Sequence, residues 1–505
     1  MESPIVIRSE GGIKRDGTQF EGNFYTDGLW CRFNRGLPRK MGGYRSISSA
    51  FTELVYGMSS YTQNNVQYVH VGSQSMLQQA QVDNNGVLMG LHNRTPVGFP
   101  LDANNLWQLD VMNNSVSATD TIVIAHAAPN LNDISSDTET DIYYGAMTGT
   151  GALTATALDP VSGGVVVLSP YLISYGNGGR VDVSEENDVT NPTAASAFVT
   201  GQKIVKGLPL RGGGSGPSGL LWSLDSLIRM SFSSGGGTLP FAFDTISSES
   251  SILSSQGVIE YDGIYYWAGV DRFLSFNGVV REIPNTMNQN WFFDNLNYTW
   301  RQKVFAFKVP RWGEIWWCYP RGSATECTHA VILNVREGTW YDTELPGSGR
   351  SAGVYAKVYS KPLMMDVDST ATGYTLWQHE FGVNSILGAT VEPIPAHVTT
   401  NEITMLTGPQ PVDKGLRCAR IEPDFVQSED LSVVVTGRAN ARAPEDPGET
   451  FTFPDVATGP SNQIVNLKQS RRLMRFTFSS NAVDGDFQMG QCIAHIEPSE
   501  GRITQ

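Results

Sequence analysis

Seven histidines (His70, His92, His126, His329, His379, His397 and His495) are the side chains best suited to proton transfer or metal binding near neutral pH. None forms an i, i+4 pair or joins a carboxylate at metal-ligand spacing, so strand and loop positions are their expected setting. Asp366 and Asp368 (DVD) could offer oxygen ligands to a divalent cation, yet no helix–loop pattern or further ligand accompanies them, and a solvated turn is the plainer reading. Gly214, Gly216 and Gly219, within GGGSGPSG, fit GxGxxG. A dinucleotide site needs that spacing between a parallel strand and a helix. Here Pro217 interrupts it, a hairpin-like strand follows, and no Gly-Lys-Ser/Thr is present, so a loop is expected.

Carboxylate pairs that could hydrolyse glycosides have no distinguishing spacing. Arg336–Trp340 (REGTW) is one residue short of a sialidase Asp box and occurs once, and a Gly-X-Ser-X-Gly elbow is absent. No catalytic, cofactor-binding or metal residue is assigned, and a non-enzymatic role is expected. The aromatic residues stand out more. Trp312, Trp316, Trp317, Tyr319, Trp340 and Tyr341 crowd one short stretch, and Tyr265, Tyr266 and Trp267 precede them. Strand alternation sends neighbours to opposite faces, so both a core and an interface reading stay open for Trp312, Trp316 and Trp340. Arg39 and Lys40, in a Pro-basic-basic-x-Gly-Gly turn, are candidates for pairing with acidic neighbours across a subunit boundary, against the plainer reading of a solvated turn.

The elements that must carry these residues read as short strands. Val66–Val71 with Met76–Val82, Gly164–Leu168 with Tyr171–Tyr175, and Gly219–Trp222 with Leu227–Phe232 are apolar runs separated by turns. Asp262–Gly263 and Asn277–Gly278 sit between apolar runs, where type I′ hairpin turns need positive φ. Such units recur about every 40–50 residues between positions 50 and 385, the range of propeller blades. The expected architecture is all-β: a β-propeller of six or seven blades over residues 51–385, an N-terminal strand or arm over 1–50 closing onto it, and a C-terminal β-sandwich-like domain over 386–505. The segment EPIPAHVTTNEITM reads as a linker between the two larger parts.

Composition agrees. In 505 residues, 52 glycines and 26 prolines with only 17% charged residues favour strands and turns over long helices. No run of about 18 apolar residues suggests a membrane span, and the start lacks the pattern of a secretory signal, so folding in a cytoplasm is expected. Five scattered cysteines imply packed, reduced thiols. The net charge of −15 argues against sequence-independent DNA binding. Residues 46–200 hold fourteen acidic side chains against two basic ones, Arg94 and Arg180, whereas residues 1–45 hold eight basic against five acidic. That acidic block is either an ordinary solvated surface or a wall that lets a polyanion slide past.

Two stretches resemble a known family. Asp27–Tyr44 (DGLWCRFNRGLPRKMGGY), and the closing pattern RLMRFTF, FQMG, CIAHIE from Arg472 to Glu497, are similar to the ends of tail hub or nozzle proteins of short-tailed bacteriophages, also described as packaged-DNA stabilisation proteins. The resemblance spans nearly the whole chain with loose motifs. It implies a structural virion tail protein, assembled in the host cytoplasm as a homohexameric ring below the portal and adaptor. Such a ring narrows or closes the DNA exit channel, retains DNA until ejection and docks tail fibres or spikes. Six copies would carry a formal charge of about −90, consistent with an acidic lumen. A glycan-binding or glycan-degrading propeller is the alternative, and an unrelated interaction propeller a third.

Overall fold

The computed structural model describes all residues except 1–2, 8, 19–20, 100–103, 114–120, 193–195, 212–215, 234–238, 406–413, 456–464 and 500–505. Half of the GGGSGPSG stretch, residues 212–215, therefore lies outside the described residues. Strand follows strand along the chain. The only α-helix among the described residues, Gln289–Asn295, and a 3-10 turn at Tyr298–Lys303 lie on one inter-sheet link.

Local sequence explains the hairpins. Val258–Tyr261 pairs with Ile264–Ala268, placing Tyr261 opposite Ile264 across the Asp-Gly turn. Asp262 (φ 50°) and Gly263 (φ 81°) both adopt the left-handed conformation that a type I′ turn requires. Hairpins of this kind build successive antiparallel, up-and-down sheets. Their first strands are Val55–Gln63, Leu106–Asn113, Gly164–Leu168, Ile204–Pro209, Val258–Tyr261 and Phe305–Val309. The last sheet takes Arg350–Ala356, Lys361–Thr370 and Gly373–His379 from late in the chain and its next strand, Tyr44–Phe51, from early in it.

Apolar clusters fill every gap between neighbouring sheets. Trp107 and Val123 meet Tyr68 between the first and second sheets. Ile124 meets Val165 and Leu172 in the next gap, and Ile173 meets Leu221 and Met230 in the one after. Trp222 packs against Tyr265 and Trp267, Phe273 against Trp317 and Trp340, and Trp316 against Met364. Val55 and Val69 then meet Leu363 and Leu376, joining the last sheet to the first. The sheets thus close into a ring, which is a β-propeller. Each large side chain fully buried in these gaps contributes about 1.5–3 kcal/mol.

The meander also defines two ends of the ring. Turns between first and second and between third and fourth strands share one end, the turn end. There Tyr359 donates to the Asp83 carbonyl (2.5 Å) and Arg45 to that of Asn85. Second-to-third turns and inter-sheet links share the other, the link end, where Tyr56 donates to Glu326 (2.9 Å).

The remaining strands form one parallel pair, Glu10–Ile13 with Phe24–Tyr25, and two larger sheets. One runs Val465–Arg471, Gly415–Ser428, Asp486–Ser499, Leu37–Lys40, Cys31–Asn34, with Ser3–Ile7 also on Asp486–Ser499. The other runs Asp27–Leu29, Ala396–Thr399, Leu473–Ser480, Leu431–Arg438, Glu449–Phe453. Strict alternation in LSVVVTGR puts Val433 and Val435 in one core with Phe476, Phe478, Phe487 and Ile496. The N-terminal segment therefore divides. Ser3–Ile7, Asp27–Leu29 and, at Arg39, Leu37–Lys40 pair with C-terminal strands, and Tyr44–Phe51 completes the ring. The stretch read as a linker holds the end of the strand Thr390–Pro393 and the whole of Ala396–Thr399, with Ala396 and Val398 fully buried. All five cysteines are free and buried. Among the described residues no helix is long and apolar enough to cross a membrane.

Candidate functional site: the charged junction of ring and terminal strands

The terminal strands are fastened to the ring by buried charge. Arg32 projects from Cys31–Asn34 with only 1% of its surface exposed. Its Nη1 donates to Glu380 Oε2 (2.7 Å), and Nη2 donates to Glu380 Oε1 (2.6 Å) and Glu314 Oε2 (3.2 Å). Its Nε lies 2.8 Å from Glu314 Oε1 without hydrogen-bond alignment. Tyr341 (2.7 Å) and Trp316 (2.9 Å) donate to Glu314, and Trp312 donates to Glu380 (3.0 Å). Glu314 belongs to Glu314–Tyr319 of the sixth sheet, and Glu380 follows Gly373–His379 of the last. One guanidinium thus ties an N-terminal strand to two sheets.

Two carboxylates share this single cation in a largely buried site. Burial pushes the Glu314 carboxyl up, with Arg32 opposing, whereas for Glu380 Arg32, Trp312 and Lys361 outweigh burial and hold it low. Glu314 is therefore the member that takes up a proton first. Burial alone would lower the Arg32 pKa, but the two carboxylates hold it above its ordinary range.

Two smaller networks flank this one. Arg15 bridges Asp342 (3.0 Å) and Asp27 (2.6 Å), and Asp27 also meets His397 (3.2 Å). Burial would raise Asp27, but His397 and Arg15 hold it well below the usual carboxylate range. Arg350 bonds Asp366 (3.2 Å) and donates to His379 (3.3 Å), which makes that imidazole an acceptor and hence neutral. Tyr44 stacks on the same imidazole at 5.1 Å and meets Trp377 edge-on at 5.0 Å. Asp366 also accepts from Trp377 (2.8 Å), so the DVD pair is not a solvated turn at its first residue.

The residues singled out from sequence separate. Trp316 and Trp340 are buried, the latter donating to the Pro284 carbonyl (2.9 Å), so neither offers an interface surface in this chain. Lys40 is also buried and donates to Gly485 (2.7 Å); burial lowers its pKa to about 8 despite Asp486. The reason is geometric: Leu37–Lys40 is a strand rather than a turn, so adjacent side chains point opposite ways. Arg39 and Trp312 stay half-exposed and meet at 5.1 Å. Arg32, Glu314 and Glu380 were missed. Their signal was present, because a charge inside strands such as EIWWCY and CRFN demands a buried partner. Among the described residues no group of three or more His, Cys, Asp or Glu side chains is placed to hold a metal.

No family model matches the chain, and no curated protein does. Solved structures similar to it include BamB from Moraxella catarrhalis, at 12% identity and a TM-score of 0.36 over 70% of this chain and 97% of that one. Another is BBS1N in complex with ARL6DN, soaked with lead, at 8% identity and a TM-score of 0.40 over 67% of this chain and 97% of that one.

Proposed function

We propose that this chain is a structural subunit of a bacteriophage tail ring, a hub or nozzle below the portal and adaptor that narrows the DNA exit channel and docks fibres or spikes. In this reading the propeller has seven blades, completed by Tyr44–Phe51, and the two sheets of terminal strands form a domain built from both chain ends. The role is mechanical and needs no catalytic residue.

One observation carries the reading. The two stretches that resemble tail hub proteins, far apart in sequence, are neighbours in space, with Arg39 directly opposite Gln488 and Asp27–Leu29 sharing a sheet with Leu473–Ser480. Signature residues therefore build one element, locked to the ring by Arg32, as a subunit bearing load between tail parts would require. Imaging of the purified protein, alone and mixed with a candidate portal–adaptor complex, tests it. Rings that cap the adaptor are expected; a persistent monomer without affinity for the adaptor overturns the proposal.

A further inference from the structure

Cations and aromatic rings alternate across the turn end of the sixth and last sheets. Arg311 and Arg39 lie 5.0 and 5.1 Å from the Trp312 ring. Arg45 and Lys361 lie 4.1 and 5.4 Å from that of Phe381. Arg336 donates to the carbonyls of Arg311 (3.0 Å) and Pro310 (2.6 Å). Arg45 bonds Gln378 and a carbonyl, and Lys361 bonds the Glu380 carbonyl rather than its carboxylate. None of Arg45, Arg311, Arg336 and Lys361 is ion-paired with a carboxylate among the described residues. The nearby acids are engaged elsewhere: Glu380 with Arg32, Glu260 with Lys308 (3.2 Å), and Glu337 with the Arg35 and Gly36 amides. Asp486 stands 3.8 Å from Arg39. Like charges gathered in this way repel unless something negative covers them.

The same chain carries that negative surface at the link end of the second and third sheets. Asp133, Asp137, Glu139, Asp141 and Asp159 are exposed there. The cations of this region are few: Arg180 is bracketed by Asp159 (2.6 Å) and Asp182 (2.9 Å), Lys203 is buried against the Ser136 carbonyl, and Arg301 faces Asp133.

The two poles thus lie at opposite ends of the ring and on distant sheets. We infer that copies of this chain associate head to tail, the cationic–aromatic patch around Arg311 and Trp312 of one copy seating on the acidic link-end loops around Asp137 and Glu139 of the next. A contact between unlike surfaces closes into a ring or runs on as a filament, and is not a two-fold dimer. A second copy fits better than nucleic acid because the complementary acidic loops are already on the chain, on exposed turns and links. The inference rests on the ring reading above for its setting and names the surfaces that meet.

Charge reversal tests it by sedimentation and light scattering. One variant carries Arg311→Glu with Lys361→Glu, the other Asp137→Lys with Glu139→Lys; all four sites are on turns, links or strand ends, and circular dichroism checks folding. Wild type is expected to associate at about 50 mM salt, with the dissociation constant rising about tenfold or more by 300 mM. Each variant alone is expected to stay monomeric, and an equimolar mixture to assemble, because each then offers one matching pole to the other. Rescue on mixing cannot come from misfolded protein. Wild type that stays monomeric at low salt, variants that assemble as wild type does, or a mixture that fails to assemble overturns the inference. So does a patch variant that loses only binding to a duplex DNA probe. Assemblies that obey this charge rule but do not cap the portal–adaptor complex would sink the tail reading alone.

Discussion

Arg32 and Glu380 form a bidentate pair at 2.7 and 2.6 Å across 348 residues of sequence, with the guanidinium buried and the carboxylate 13% exposed. Its value lies in what its removal exposes. Arg32→Met would leave Glu314 and Glu380 buried together without a counter-charge, so a loss of about 3–5 kcal/mol is expected. Arg32→Lys should recover little, since a single ammonium cannot reproduce a planar fork. Denaturant midpoints of the two variants check this; a midpoint within error of wild type for Arg32→Met would show the junction to be dispensable.

Acid should weaken the fold through histidine. Burial lowers His70 to about 3, and His126 and His329 to about 4; Arg94 adds to this for His70, Lys203 for His126 and Arg321 for His329, while hydrogen bonds to Gln79 and the Val161 carbonyl oppose it at the first two. Burial and Arg350 push His379 well below its ordinary value. A histidine whose folded pKa is depressed adds stability that is present above about 6.5 and is lost as pH falls toward the folded value, because only the unfolded chain binds the proton. Each contributes up to about 1.4 kcal/mol per pH unit below about 6. Urea midpoints should therefore fall steadily from pH 7 to pH 5, and His70→Gln should flatten the slope. A flat profile over that range would contradict the burial of these rings.

Arg39 and Lys40 should respond to the same substitution with very different magnitudes. Arg39→Glu alters a half-exposed side chain 3.8 Å from Asp486, and a change below about 1 kcal/mol is expected. Lys40→Glu places a carboxylate against the Gly485 carbonyl with Asp486 nearby, and a loss of several kcal/mol is expected. Thermal melting of the two single variants separates them; equal effects would contradict the strand geometry at Leu37–Lys40.

That contrast marks where sequence reading stops. Short-range chemistry was legible: Asp262–Gly263 lies between apolar runs and forms its hairpin. Long-range pairing was not, because nothing local in YRSISSAF marks Gly373–His379 as the partner of Tyr44–Phe51. The prolines in EPIPAHV suggested a linker and outweighed the apolar positions Ile394, Ala396 and Val398, which are buried. Arg39 and Lys40 were read as one basic unit because a presumed turn hid the alternation that buries one of them. Glu314 was readable in principle, as a charge in an apolar strand, but its partner lies 282 residues away.

Closure of the ring supplies the last prediction. Gly373 sits at φ +131°, and a Cβ there would lie 2.3 Å from the carbonyl oxygen of Phe51, on the strand that completes the last sheet. Gly263 also has a positive φ, +81°, with nothing within 4 Å of its would-be Cβ. Alanine at Gly263 thus meets only the conformational penalty, about 1 kcal/mol. Alanine at Gly373 meets that penalty and also forces Phe51 off its partner, so a larger loss is expected, together with faster proteolysis within 44–51 as the strand detaches. If the two variants were equally stable and equally resistant to protease, Tyr44–Phe51 would not be what holds the ring shut.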